Sequence, residues 1–187
     1  MLAYIEPFVI ILSALSSYFI YRESAFLWLS SSIMSATLGY ICFLNNLYFC
    51  IIYFVIAIIT NGIGFLLFNF RVEIKQKQLA YCSINERLLL FGAAFMVALL
   101  GAVTASQYTD DPYPYIDAFV LPFALLAEYL RNMRKIERHI AFFVSYIALA
   151  PIFICLNYYI ISVMFIFFLL VSIYAFWKEM KILQIQD

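Results

Sequence analysis

Tyr4-Ile5-Glu6-Pro7-Phe8-Val9-Ile10 returns later in the chain as Tyr115-Ile116-Asp117-Ala118-Phe119-Val120-Leu121, with an acid at the same place in an apolar frame. The offset is 111 residues. Carried forward without a gap, it pairs Leu15 with Leu126, Tyr18 with Tyr129, Trp28 with His139 and Tyr48 with Tyr159. Similarity held at one spacing over such a length marks a duplicated unit, and a duplicated unit decides the architecture.

Composition says what the unit is made of. Of 187 residues, 67% are apolar and only 12% charged, whereas soluble domains run at roughly half and about a quarter. A water-soluble chain of this length could not hide that much apolar surface, which excludes a cytosolic enzyme, a nucleic-acid binder and a disordered chain. An all-α integral membrane protein remains. A bilayer core takes about 20 mostly apolar residues per helix. Seven runs between polar breaks meet this: Leu2 to Ile20, Ala25 to Phe43, Leu47 to Phe70, Leu88 to Ser106, Tyr115 to Leu130, His139 to Leu156 and Asn157 to Trp177.

The charges test the count independently. Basic residues in short loops collect on the cytoplasmic side, and acids contribute little. With the N-terminus outside and the C-terminus in the cytoplasm, the inner segments hold Arg22; Arg71, Lys75, Lys77 and Arg87; Arg131, Arg134, Lys135 and Arg138; and Lys178 and Lys181. Those are all eleven Lys and Arg, and the outer segments keep only acids such as Asp110 and Asp111. The expected address is a bacterial inner membrane. No basic region or small-residue cleavage site marks the first run as a removable signal, so it reads as part of the fold.

Topology and duplication agree. Spans one to three and five to seven each begin outside and end inside, and two bundles of one orientation can be joined only through an odd number of extra spans. The expected organisation is a first three-helix repeat (1–70), a cytoplasmic loop (71–87), an inverting linker span (88–106) and a second, parallel three-helix repeat (115–178). Parallel repeats are a recognised transporter architecture, with the substrate at the repeat interface.

Polar side chains inside such spans cost free energy and mark function or pairing. Glu128, in the last turn before the inner end of the fifth span, has three roles open to it: a partner for Arg131 or Arg134, a cavity carboxylate facing a cationic ligand, or a protonated acid that is merely tolerated. Asn61, in the inner half of the third span, suits a hydroxyl or ring nitrogen and equally suits interhelical hydrogen bonding. Gly62 and Gly64 beside it permit close helix approach. Asp117 and its mate Glu6 lie near outer helix ends, as mouth or hinge contacts. His139 stands at the inner boundary beside Arg138. Pro7, Pro122 and Pro151 interrupt backbone bonding within helices one, five and six.

The stretch Tyr115-Ile-Asp-Ala-Phe-Val, the run Ala127-Glu-Tyr-Leu-Arg-Asn-Met-Arg-Lys-Ile-Glu-Arg138 and the ending Ile173-Tyr-Ala-Phe-Trp-Lys178 resemble the PnuC-type vitamin transporters, distant relatives of the SWEET sugar transporters. The resemblance spans the chain and implies a 3+1+3 fold. It also implies inward facilitated diffusion of nicotinamide riboside, thiamine or riboflavin, with trapping by a cytoplasmic vitamin kinase. The chain departs from that pattern where a Trp-x-x-x-Asn motif falls on Phe142 and Tyr146, a glutamine on Glu128 and a tryptophan on His139.

From the repeat and the resemblance together, Trp28, Phe142 and Tyr146 are the aromatic residues expected to line the cavity. With Glu128 and Asn61 they make the expected substrate site, for a flat, positively charged ring stacked between aromatic faces. Nicotinamide riboside stands first and thiamine second. No cofactor is expected. Cys42, Cys50, Cys82 and Cys155 lack paired metal spacing and read as inert packing. An integral-membrane enzyme would need a metal cluster, a nucleophile elbow or an intramembrane dyad, and no such motif is apparent. A seven-helix receptor or adaptor fits the duplication less well than a transporter does. Expected partners are the bilayer and the vitamin, with no nucleic acid; self-association and proton coupling stay open.

Overall fold

Helices account for almost all of the chain that the computed structural model describes, namely residues 5–21, 26–69 and 79–186. Among these residues there are seven: α1 (Ile5–Tyr21), α2 (Phe26–Leu44), α3 (Tyr48–Asn69), α4 (Ile84–Tyr108), α5 (Pro114–Asn132), α6 (Arg138–Cys155) and α7 (Tyr159–Gln186). Four of them, α3, α4, α6 and α7, are long and apolar enough to cross a bilayer, and shorter apolar stretches occupy α1 and α2. α5 carries three charges, Asp117, Glu128 and Arg131. The protein is an all-α membrane protein. Arg22 and the loop cations Arg71, Lys75 and Lys77 lie outside the described residues.

The chain divides into two compact units, Met1–Lys75 and Gln76–Asp187. In the first, α2 packs on both α1 and α3. Ser16 and Ser30 share a buried hydrogen bond of 2.8 Å across the α1–α2 contact. In the second, α5 packs on α4 and α6, and α6 on α7. Small residues allow these approaches: α4 turns Ala94, Ala98, Ala102 and Ala105 inward, and α5 buries Ala118, Ala124 and Ala127. Without a hydrophobic force between helices in lipid, close packing of such residues is what holds them together. Opposite its alanine face α4 leaves Leu89 and Leu100 69% and 65% exposed, which suits hydrocarbon and not water.

Two helix ends move from their sequence-based positions for visible reasons. α4 begins at Ile84, four residues before the predicted span, because Ser83 and Glu86 form a capping box in which each side chain accepts the other's backbone N–H. Arg87 therefore belongs to the helix. α7 runs on to Gln186, so Lys178 and Lys181 are helical and Glu179 faces the start of α6.

The α2–α3 and α6–α7 turns share one geometry at the 111-residue offset. Asn46 and Asn157 both adopt left-handed backbone, with φ of 56° and 63°. The Leu47 N–H donates to the Cys42 carbonyl at 3.0 Å, and the Tyr158 N–H to the Phe153 carbonyl at 2.8 Å. One residue earlier, Asn46 donates to Phe43 and Asn157 to Ile154. This is the Schellman ending, in which asparagine takes the place usually held by glycine. Leu38 and Leu149, Ile41 and Ile152, and Phe54 and Phe165 are buried mates at the same offset.

Candidate functional site

In the second unit, the proline-interrupted α5 presents Glu128 near its basic end, where the carboxylate meets Arg131 at 2.5 Å, three residues on along the same helix. α5 packs on α6, which carries Tyr146. One turn away from Tyr146 on α6, Phe142 stacks on its ring almost parallel, with centroids 5.8 Å apart and planes 8° apart. Tyr146 further touches Phe165 and Phe168 of α7, with centroids at 6.1 and 5.8 Å. Glu128, Phe142 and Tyr146, three of the five expected substrate residues, thus lie on one packed pair of helices, α5 and α6.

The first unit holds the other two. Trp28 at the start of α2 lies against Gly64 near the end of α3, so closely that a methyl group on Gly64 would come within 2.5 Å of the indole. Asn61 sits one turn before Gly64, half-buried. Of the expected mouth residues, Glu6 is half-buried and Asp117 completely buried. His139 is held at the start of α6, its Nε2 3.1 Å from Glu179. Arg138 pairs with the same carboxylate.

A second polar cluster lies at the basic end of this unit. Glu137 is 1% exposed, and both of its oxygens accept the Cys82 N–H at 3.0 Å while Oε1 also accepts Arg87 Nη2 at 2.7 Å. Lys135 Nζ donates to the Tyr81 carbonyl at 2.8 Å, and across the same junction the Ala80 N–H donates to the Arg134 carbonyl while the Ala80 carbonyl accepts the Ile136 N–H, both at 3.2 Å. Desolvation first, and the Glu137 carboxylate second, push the Cys82 thiol up to about 11. A cavity of about 520 Å³ opens beside this junction, lined in part by Asn85, Glu86, Tyr129 and Lys135. Glu128, Phe142 and Tyr146 are not among its walls.

Compared with known families, the chain matches the nicotinamide mononucleotide transporter model over residues 3–181. It belongs to that family. No curated protein and no solved structure matches the chain. As a member of the nicotinamide mononucleotide transporter family it is a multi-pass membrane transporter of nicotinamide-related vitamins, and not an enzyme. This bears out the PnuC-type resemblance.

Within this transporter, the sequence reading missed Glu137 and Glu179, which each hold two elements together. Glu137 is the only acid in the run from Arg131 to Arg138. A single carboxylate among four cations is a signal for an internal pair, and Ser83-x-x-Glu86 was a legible helix start. Chemically, α5 and α6 offer flat apolar faces at Phe142 and Tyr146 and a Glu128 carboxylate paired with Arg131.

Proposed function

We propose that this transporter carries nicotinamide riboside into the cell by facilitated diffusion and that cytoplasmic phosphorylation traps it. The observation that carries the choice is the stacked Phe142–Tyr146 pair on α6, packed against the helix that carries the Glu128 carboxylate. A pyridinium ring is flat and cationic, so aromatic faces and a nearby carboxylate both favour it. A mononucleotide adds a phosphate, which calls for a cation in excess of the acids, and the mutually paired Glu128 and Arg131 supply none. The riboside fits better. Thiamine, whose thiazolium ring is also cationic, is the second reading, because Phe142 and Tyr146 occupy the positions of the Trp-x-x-x-Asn motif. Neutral riboflavin has no use for the carboxylate.

In this reading α1–α3 and α5–α7 are parallel repeats and α4 is the inverting linker. The shared turn geometry at Asn46 and Asn157 supports this. All seven helices span the membrane, with the N-terminus outside, as the placement of all eleven basic residues suggests. Trp28 and Asn61 contribute a stacking face and a polar edge, and Glu6, Asp117 and His139 lie toward the two mouths. Purified protein in liposomes, given labelled nicotinamide riboside, thiamine and riboflavin separately, tests the reading. Nicotinamide riboside is expected to equilibrate fastest and not to exceed its outside concentration. Preferred uptake of riboflavin, or accumulation abolished by a proton ionophore, would overturn it.

A further inference from the structure

We infer that Gly64 is a positioning residue for the transported vitamin, acting through the indole of Trp28. The inference rests on the reading of Trp28 as a ligand-stacking side chain. A Cβ built on Gly64 would stand 2.5, 2.6 and 2.8 Å from three carbons of the Trp28 benzo ring, whereas one on Gly62, half a turn away on the same helix, meets nothing within 4 Å. Contacts under about 3 Å do not persist, so a methyl at 64 must displace something. What yields most easily is the Trp28 side chain, which turns about its χ angles, and not the packed backbones of α2 and α3. The absence of a side chain at 64, one turn along α3 from Asn61, therefore sets where the indole lies. A ring ligand that stacks on this indole depends on its placement, because aromatic pairs hold only at offset or edge geometries. The repeat mates, His139 and Ala175, lack this arrangement, so the first unit alone carries it.

Trp28 and Trp177 are the two tryptophans of the chain, so Trp177→Phe leaves Trp28 as a single fluorescent reporter. In that background Gly64→Ala, Gly62→Ala, Trp28→Leu and Gly64→Ala/Trp28→Leu are compared by nicotinamide riboside calorimetry, tryptophan emission and thermal unfolding. Gly64→Ala is expected to shift the Trp28 emission and to weaken affinity about five- to ten-fold, the scale of a lost aromatic stack. Gly62→Ala is expected to do neither, and adding Gly64→Ala to Trp28→Leu to change affinity less than two-fold. Equal losses from Gly64→Ala with and without Trp28, or unchanged emission and affinity, would overturn the inference. If Trp28→Leu alone leaves affinity intact while Gly64→Ala shifts the emission, the role of Trp28 in the site fails and not the steric coupling. If Gly64→Ala does not fold, the double variant must fold, and its failure would show that the glycine serves helix packing instead.

Discussion

Removing the Glu137 carboxylate is the perturbation whose size the structure fixes best. Three hydrogen bonds converge on a side chain that is 1% exposed, two from the Cys82 N–H and one from Arg87. In Glu137→Ala, the buried Cys82 N–H is left without an acceptor, at about 1–3 kcal/mol, and the charge-assisted bond to Arg87 is lost, at about 1.5–3 kcal/mol. Arg87 is 49% exposed and regains water, so the full penalty of a stranded buried charge, about 3–5 kcal/mol, does not apply. Relief of the carboxylate's own desolvation offsets part of the loss. The net expectation is about 2–4 kcal/mol for Glu137→Ala and about 1–2 kcal/mol for Glu137→Gln, which keeps one acceptor oxygen. Equilibrium unfolding in mixed detergent micelles, followed by circular dichroism, measures both. Amide exchange at Cys82 adds a local readout, since the unpaired N–H is expected to exchange faster. Arg87→Gln completes a double-mutant cycle, with an expected coupling of about 1–2 kcal/mol. A loss under about 0.5 kcal/mol in Glu137→Ala, the scale of an exposed ion pair, would refute this account of the junction.

Glu128→Gln keeps the shape and removes the charge. If the carboxylate serves the ligand, nicotinamide riboside affinity is expected to fall about ten- to a hundred-fold, as for a lost charge-assisted bond of about 1.5–3 kcal/mol; unchanged binding by folded protein would assign Glu128 to Arg131 alone. The Cys82 thiol, pushed up to about 11, is mostly unreactive at pH 8, with a thiolate fraction about a hundred-fold below that of an ordinary thiol, and stability is expected to decline between pH 9 and 11, where the unfolded thiol ionises and the folded one does not. Because Cys82 is also buried, the side of the membrane is better tested with exposed Cys155, expected to react with an impermeant maleimide in intact cells, and with Asn132→Cys, expected to react only after permeabilisation; the reverse pattern would invert the topology. At Asn46, whose φ is 56°, Asn46→Ala is expected to cost about 1 kcal/mol and Asn46→Gly close to nothing. Equal losses in micelle unfolding would show that the side chain and not the backbone matters there.

Seven helices were legible because each apolar run ends in charges or turn residues, and in lipid a backbone must satisfy its own hydrogen bonds. The helix ends were less so. Ser83 and Glu86 moved the start of α4 through a capping box that an apolar-run reading passes over. Glu128 beside Arg131 was readable as an i, i+3 pair on one helix. Glu137 was not, because its partners, Arg87 and the Cys82 amide, lie 50 and 55 residues away. The duplication could not supply it either, since position 26, its mate in the first unit, is phenylalanine.

The sequence alone determined the solvent, the helix count and the family, because these depend on totals and periods that every residue contributes to: apolar fraction, run length and an offset of 111. Tertiary structure decided which polar side chains face each other. Asp117 and Glu128 are both acids inside α5, yet one is sealed in the packed interior and the other reaches Arg131 at the basic end. Glycines 62 and 64 are two residues apart, yet only one lies under an indole. A run of residues sets what a helix is made of. Which of its faces meets a neighbour depends on rotation and crossing, and those are fixed by shape complementarity between helices distant in the chain.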